Sequence, residues 1–131
     1  MNSHDLAISE LTRAESLISN WKFLPGFQLK VLTTHLIRSL DAVASYILNE
    51  DTVVERSYLT LSRVRLFSDV NTENSFYDTY YFLKNLLRKN IQRINAEKVK
   101  IISYKHELIV NQGYFQSLID SVKKVVFEAF D

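Results

Sequence analysis

The stretch FQLKVLTTHLIRSLDAVASYILN, residues 27–49, decides the fold of this chain. Its apolar side chains return every three or four residues, which is the period of an α-helix. A second set of apolar residues widens that stripe, and a broad apolar face is typical of a central helix with two or more neighbours. The stripe consists of Leu29, Leu32, Leu36, Leu40, Val43 and Ile47, and it is widened by Val31, Ile37, Ala44 and Leu48.

The sequence before and after this stretch predicts the neighbouring helices. A first helix begins at Asn2 or Ser3 and ends near Leu24, because Pro25 disfavours helical geometry in the residue before it. A third helix is predicted over 53–69, and a last one over 112–130 with Asn111 as its cap. On the first helix, Glu10 is expected on the outer side, and the core faces of the second, fourth and fifth helices are expected to be free of acids.

A fourth helix is predicted to start near Ser75 and to continue as far as Lys98. Residues 99–111, VKIISYKHELIVN, do not keep a helical period and are rich in β-branched side chains. We interpret them as an extended or irregular connector. A short hairpin that pairs VKIIS with ELIVN is the alternative.

Composition supports a helical fold. The chain has 131 residues but only two glycines and one proline, and sheets with tight hairpins use both at their turns. Half of this length would be marginal as a folding unit, so one domain over 1–131 is predicted. The expected fold class is all-α, an up-and-down antiparallel bundle of four to five helices.

Several kinds of chemistry are excluded or unsupported. The chain has no cysteine, which excludes disulfides and thiolate sites. The two glycines are isolated, so no phosphate-cradling loop is present. No ligand spacing predicts a metal site, and no cofactor is expected. The first residues, MNSHDLAISE, lack the apolar run of a secretory signal, and no stretch is long and uncharged enough to span a membrane, so a cytoplasmic protein is expected.

Two histidines are candidate catalytic or binding residues. His35 lies on the central helix, and we interpret it as a histidine at the edge of the core that is hydrogen-bonded to a neighbour. No carboxylate or nucleophile is expected beside it. His106 lies in the connector beside Tyr104, and these two residues are the catalytic candidates if the chain is an enzyme.

The main charge feature is a run of seven cations between residues 84 and 105, in which Glu97 is the one acid. The whole chain has a net charge of only +1, so this run stands out locally. Cations spaced along one helix can form a ridge that contacts phosphates. The candidate binding residues are Lys84, Arg88, Lys89, Arg93, Lys98 and Lys100.

The same helix opens with FYDTYYFLKNLL, residues 76–87. So many aromatic side chains cannot all face one core, and aromatic residues are enriched where two chains meet. A thick core with tyrosine hydroxyls that reach water is the alternative. The candidate dimer interface consists of Tyr77, Tyr80, Tyr81 and Phe82.

The layout resembles the HEPN superfamily, the helical bundles related to the substrate-binding subunits of minimal nucleotidyltransferases. The resemblance lies in LAISELTRAESLI at 6–18, LTTHLIRSLDAVASYIL at 32–48 and ELIVNQGYFQSLIDSVKKVVFEAF at 107–130. HEPN ribonucleases have an arginine four to six residues before a histidine. Here Arg93 precedes His106 by thirteen positions, so the resemblance implies a dimer of bundles and not a ribonuclease site.

These observations predict a non-enzymatic helical interaction module that forms a homodimer and binds a macromolecular or nucleotide-bearing partner, with nucleic acid or protein as the partner. A divergent HEPN-type ribonuclease, or an RNA-binding protein that uses residues 84–105, is one alternative. A purely structural oligomerisation domain is another.

Overall fold

The central helix of the computed structural model is α2, Gly26–Ile47, as the sequence predicts. The model describes residues 2–130, apart from the side chain of Tyr58. Helix α2 packs against helices on several sides, and its leucine stripe is fully buried. Burial of each such side chain contributes about 2 kcal/mol of hydrophobic stabilisation. The stripe that decides the fold is therefore the centre of the core.

Helix α1, Ser3–Ile18, lies along α2. Its first turn is capped by the Asn2 side chain, which accepts a hydrogen bond from the Asp5 N–H at 2.8 Å. The two helices approach closely, since the Ser39 hydroxyl of α2 donates to the Ala7 carbonyl of α1 at 2.8 Å. The predicted end near Leu24 is wrong. The chain leaves the helix earlier and forms a 3₁₀ turn, Trp21–Phe23, that places Trp21 in the core.

The predicted third helix over 53–69 is wrong. Only Tyr58–Leu61, α3, is helical. The apolar residues of this segment do not share one buried face, because Leu61 is buried while Val54 and Leu59 are exposed. The backbone after α3 is satisfied from outside the segment: the Glu73 carboxylate accepts hydrogen bonds from the N–H groups of Leu66 and Phe67, at 3.0 and 2.8 Å.

Helix α4, Val70–Leu87, begins and ends earlier than predicted. Asp69 is its cap and accepts a hydrogen bond from the Thr72 N–H at 2.9 Å. The chain does not continue as a helix to Lys98, because after Leu87 it turns into a strand. The spacing nevertheless predicts a helix here, because Ile91 of this strand and Ile94 after it extend the apolar stripe of α4.

Three antiparallel strands follow α4 in the order β1-β2-β3. They are β1, Asn90–Arg93, β2, Val99–Ser103, and β3, His106–Val110. Of the extended or irregular connector predicted for 99–111, the irregular form is wrong, because both halves of the segment are extended strands. The alternative, the hairpin of VKIIS with ELIVN, is confirmed, with Ile101 opposite Leu108. The fold is therefore not purely all-α.

The last helix is α5, Gln112–Phe130, which confirms the predicted bounds. The Asn111 side chain accepts a hydrogen bond from the Gly113 N–H at 3.0 Å and so caps its first turn. Helices and sheet share one core, to which β2 contributes Val99 and Ile101. The protein is mainly helical, with five helices packed together and one small antiparallel sheet. No helix within residues 2–130 is both long and apolar enough to cross a membrane.

Candidate functional site

Helix α2 carries a row of ionisable side chains beside its apolar stripe. His35, Arg38 and Asp41 follow one another at intervals of three residues, so they lie along one side of the helix. Helix α1 adds Glu10 to this row, and helix α4 adds Tyr80 and Lys84. We call these six residues the polar seam. Two of its carboxylates are buried in the core, where an ionised group needs partners.

Glu10 is the first buried carboxylate of the polar seam. Its side chain is fully buried. Its Oε2 atom lies 2.5 Å from His35 Nδ1, and its Oε1 atom lies 3.5 Å from Arg13 Nη1 and 3.5 Å from Arg38 Nε. In the described part of the chain Oε1 has no hydrogen-bond partner, so the two guanidinium groups act on it as nearby charges. The cluster joins α1 to α2 by electrostatic contacts inside the helix interface.

This cluster corrects two predictions. Glu10 does not lie on the outer side of α1, and His35 does have a carboxylate beside it. The interpretation of His35 as an edge-of-core histidine with a hydrogen-bonded neighbour is confirmed. One sequence signal could have found the pair: Glu10 follows Ala7 by three residues and precedes Ala14 by four, which places it on the buried stripe.

Asp41 is the second buried carboxylate and also contradicts the expectation of an acid-free core face on α2. It is 1% exposed. Its Oδ1 atom lies 2.7 Å from the Tyr80 hydroxyl oxygen, which lies 2.7 Å from the Arg56 carbonyl oxygen as well. Desolvation raises the pKa of Asp41 from 3.8 to about 6, although Tyr80, Lys84 and Arg56 act in the opposite direction. Desolvation also raises the pKa of Tyr80, so its hydroxyl keeps its proton.

A cavity of about 370 Å³ opens beside Asp41, between α1, α2, α4 and the irregular segment after α2. Two cations reach it from different helices, Arg38 from α2 and Lys84 from α4. Apolar and polar side chains share the remaining wall, and two of the polar ones are the carboxylates Asp41 and Glu55. The full lining is Leu6, Thr34, Ile37, Arg38, Asp41, Val53, Glu55, Lys84 and Leu87. We call this space the seam cavity.

Lys84 stands at the border of two cavities. Its Nζ atom lies 3.9 Å from Glu55 Oε1 and 5.4 Å from the centre of the Tyr80 ring. On its other side a second cavity, of about 400 Å³, is lined in part by Arg88 and Tyr81. An anionic group held at Lys84 would thus have Arg38 on one side and Arg88 on the other. Such a set of cations beside apolar walls suits a ligand that has both an anionic and an apolar part.

The remaining predicted binding residues are distributed differently. Arg93 links β1 to the segment between α1 and α2. Its guanidinium donates to the carbonyl oxygens of Leu24 and Trp21 at 2.9 and 2.5 Å, and it stacks on Trp21 with 4.5 Å from Cζ to the ring centre. Lys100 of β2 pairs with Glu107 of β3 at 3.5 Å. Lys98 is exposed where the chain enters β2, and Lys89 is half-buried after α4. The structure brings only Lys84 and Arg88 of this set to one cavity.

The four predicted interface residues also lie in different environments. Tyr80 is fully buried within the chain, so its surface is not available to a second copy. Tyr77 is half-buried, and its hydroxyl lies 2.8 Å from the Leu61 carbonyl oxygen. Tyr81 and Phe82 are exposed. The alternative of a thick aromatic core therefore accounts for part of this segment.

The predicted catalytic candidates lie at the tip of the β2–β3 hairpin. Tyr104 is 96% exposed, and His106 is exposed at the start of β3. Over residues 2–130 neither side chain has a hydrogen-bond partner, and Lys105 lies over the Tyr104 ring at 5.5 Å. A histidine without an orienting partner is not set up for general acid–base work, whereas His35 has one.

Neither a cluster of metal ligands nor a similar protein indicates a chemistry for the described residues. Within the described residues, no three histidine, aspartate or glutamate side chains come together as a metal site. Comparison of the chain with protein-family models, with curated proteins and with solved structures gives no match, so the HEPN-like layout stays a prediction.

Proposed function

We propose that this chain is a non-enzymatic binding module for a nucleotide-bearing partner, which it takes at the seam cavity. The observation that carries the proposal is that Arg38 and Lys84, on two different helices, line one cavity together with the apolar side chains of Leu6, Ile37, Val53 and Leu87. A nucleotide has the matching parts, an anionic phosphate and a flat, largely apolar base. The cavity is within the size range of small-ligand sites.

In this arrangement the phosphate lies between the Arg38 guanidinium and the Lys84 ammonium. Arg38 is available for it, because its side chain is 55% exposed and its contact with Glu10 is a loose one at 3.5 Å. The base packs on Leu6, Ile37 and Leu87. Charge-assisted hydrogen bonds to phosphate contribute about 1.5–3 kcal/mol each, so the two cations dominate the affinity.

Binding, and not catalysis, is proposed because the buried acid at the cavity, Asp41, is already hydrogen-bonded. Asp41 and Tyr80 bond to each other, and Tyr80 also contacts the backbone of Arg56. Such a network holds nearby binding groups in place.

The test is fluorescence anisotropy with a short labelled single-stranded RNA at low salt, together with calorimetry of a free mononucleotide. Arg38→Ala with Lys84→Ala should weaken binding by about tenfold or more. The matched control is Lys98→Ala with Lys105→Ala, which removes two exposed cations of the sheet and should leave affinity within about twofold at moderate salt. RNA binding without mononucleotide binding would assign the site to a longer strand.

Three results would contradict the proposal. They are no binding of either probe, equal losses in both double variants, or a larger loss in the control. The last of these would move the site to the hairpin.

A structural assembly role is the second candidate, and β3 favours it. The first residue of α2 packs against β1, since a β-carbon at Gly26 would lie 1.8 Å from the Ile91 carbonyl oxygen. Strand β3 is the other edge of the sheet, and its Leu108 and Ile109 are 51% and 55% exposed. Exposed apolar edge strands are templates for pairing with another chain.

The occupant we propose for this edge is a second copy, paired antiparallel with Leu108 opposite Leu108. This register places Glu107 opposite Ile109, so no like charges face each other. In the dimer the β3 edges of both copies are paired, so neither is left open to a further chain. The dimer should be weak, because a five-residue strand covers less than the roughly 800 Å² per partner of a standard interface.

Sedimentation velocity over a concentration series tests the dimer. Leu108→Lys should remove concentration-dependent association, whereas Tyr81→Lys should not. The opposite result would place the interface on α4, and a strict monomer at every concentration would reject assembly by either surface.

A further inference from the structure

The seam cavity has one wall that is neither helix nor strand. After α2 the chain runs through residues 50–57 without regular secondary structure, and Val53 and Glu55 of this segment line the cavity. We call residues 50–57 the strap. A wall without its own ladder of backbone hydrogen bonds is held by its individual attachments, so those attachments decide whether the cavity is closed.

Arg56 attaches the strap to two helices, α2 and α4. Its carbonyl oxygen lies 2.7 Å from the Tyr80 hydroxyl of α4. Its guanidinium contacts the Glu50 carboxylate and lies 3.3 Å from the Ser45 hydroxyl at the end of α2. Glu55 adds a looser contact to Lys84 at 3.9 Å, with a carboxylate that is 88% exposed. The Arg56 carbonyl is the one of these groups that bonds to the buried network of Asp41.

The protons of that network can be counted. The Tyr80 hydroxyl has one proton, yet two oxygen atoms lie 2.7 Å from it, the Arg56 carbonyl and Asp41 Oδ1. A carbonyl and an ionised carboxylate are both acceptors, so they compete for that proton. If Asp41 is protonated, its own O–H donates to Tyr80 and the Tyr80 proton is free for Arg56. Both short distances are satisfied together only in this protonated state.

We propose that Asp41, Tyr80 and the Arg56 carbonyl form a proton-controlled latch that holds the strap over the seam cavity while Asp41 is protonated and releases it when that proton is lost. On ionisation, the charged carboxylate is the stronger acceptor and takes the Tyr80 hydroxyl. The Arg56 carbonyl then loses its buried donor. The strap keeps the contact of the Arg56 guanidinium with Ser45 and the looser contact of Glu55 with Lys84, and with one attachment fewer the cavity opens.

The groups around Asp41 act in both directions. Lys84 of α4 and Arg56 of the strap favour its ionised form, while Glu55 of the strap opposes it. Arg38 of α2 lines the same cavity, and α1 contributes the apolar Leu6 there. Burial outweighs the cations and places the pKa of Asp41 at about 6, within reach of ordinary changes in pH.

The latch also couples ligand binding to closure of the strap, an inference that rests on the proposed function. A phosphate bound at Arg38 and Lys84 would bring negative charge close to Asp41 and so favour its protonated form. The strap would then close on the ligand. Binding of an anion and uptake of a proton at Asp41 would favour each other, as linkage requires.

The absence of native cysteines allows a direct test. Val53→Cys places a single thiol on the half-buried wall of the strap, and Val54→Cys places one on its exposed side as a matched control. The rate of reaction with a thiol reagent is measured without ligand at about pH 5.5 and about pH 8, and each Val53→Cys rate is divided by the Val54→Cys rate to remove the titration of the thiol.

The expected result is that this ratio rises several-fold between the two pH values. In an Asp41→Asn background, the amide still donates to Tyr80, and the ratio should stay low at both. In a Tyr80→Phe background, which lacks the hydroxyl, the ratio should be high at both pH values. This second background tests the latch if Asp41→Asn fails to fold. A ratio independent of pH in the parent, or an equal rise with Asp41→Asn, would overturn the latch.

These measurements contain no nucleotide, so they can succeed where the proposed function fails. In a separate measurement, adding the mononucleotide at about pH 8 should lower the ratio. A latch that responds to pH but not to mononucleotide would reject the ligand-driven closure and leave the proton control standing.

Discussion

Glu10 and His35 lie 2.5 Å apart, from Oε2 to Nδ1, although they are twenty-five residues apart in the sequence. The carboxylate is fully buried on α1 and the imidazole is mostly buried on α2. A buried carboxylate without partners is destabilising, so the packing of these two helices depends on this contact and on the arginines beside it. At this pair, a charged residue takes a position on the buried, otherwise hydrophobic stripe of α1.

Removal of His35 should therefore destabilise the fold. His35→Ala leaves the Glu10 carboxylate buried with only the two guanidinium groups at 3.5 Å, and a loss of about 3 kcal/mol in the free energy of unfolding is expected. Urea unfolding measures it. Glu10→Ala with His35→Ala should cost at least about 1 kcal/mol less than the sum of the single variants, because the partners are coupled. His106→Ala, at an exposed position, is the control and should be close to neutral.

Asp41 should make the stability depend on pH. Its pKa is about 6 in the folded chain and 3.8 as the reference value, so between these limits the folded state binds more protons than the unfolded state. The stabilising contribution of its proton is complete below about pH 4 and is lost as the pH rises through about 6, a change of about 3 kcal/mol. Asp41→Asn should remove this change.

The measurement is urea unfolding of both proteins at a series of pH values. The stability of Asp41→Asn minus that of the parent should increase from about pH 4 to about pH 7. A difference that stays flat would mean that Asp41 titrates normally in the folded chain.

Arg93 should act on stability and not on binding. Its guanidinium joins β1 to the carbonyl oxygens of Leu24 and Trp21 and stacks on the Trp21 ring. Arg93→Ala should lower the free energy of unfolding by about 2 kcal/mol. Arg93→Lys should lose most of the same free energy, because an ammonium cannot contact both carbonyl oxygens with the planar geometry of a guanidinium. The fluorescence of Trp21, the single tryptophan, follows unfolding at this contact. If the Arg93→Lys variant is folded but binds RNA much more weakly than the parent, then Arg93 contacts the ligand and the prediction is wrong.

The two glycines should respond differently to alanine. At Gly26, a β-carbon would lie 1.8 Å from the Ile91 carbonyl oxygen, so the start of α2 must move away from β1, at a cost of about 3 kcal/mol. At Gly113, it would lie 3.2 Å from the Asn111 side chain, which can yield. Gly113→Ala should be neutral or stabilising by up to about 1 kcal/mol, since alanine is the better helix former. Thermal unfolding of the two variants makes the comparison.

Sequence patterns predicted the parts of the fold that depend on local periodicity. The stripes of α2 and α5 gave their helices with bounds correct to about two residues, because every third or fourth side chain is apolar and buried. The same patterns gave wrong predictions where contacts with other segments determine the secondary structure. Residues 53–69 contain apolar residues at helical spacing, yet Glu73 and Tyr80 bind their backbone from outside the segment. Ile91 continues the stripe of α4 but lies in a strand, because β2 offers its backbone a partner.

The candidate site shows the same division. Side-chain type and spacing identified Lys84 and Arg88 as cations on one helix and His35 as an edge histidine. Residue order contains no distances between helices, so the pairing of Glu10 with His35 and of Asp41 with Tyr80 had to come from the packed structure. Hydrophobic periodicity thus determined which helices form the core. Tertiary packing decided which charges are buried together, because the strength of an ion pair depends on separation and desolvation, and neither is a local property of the chain.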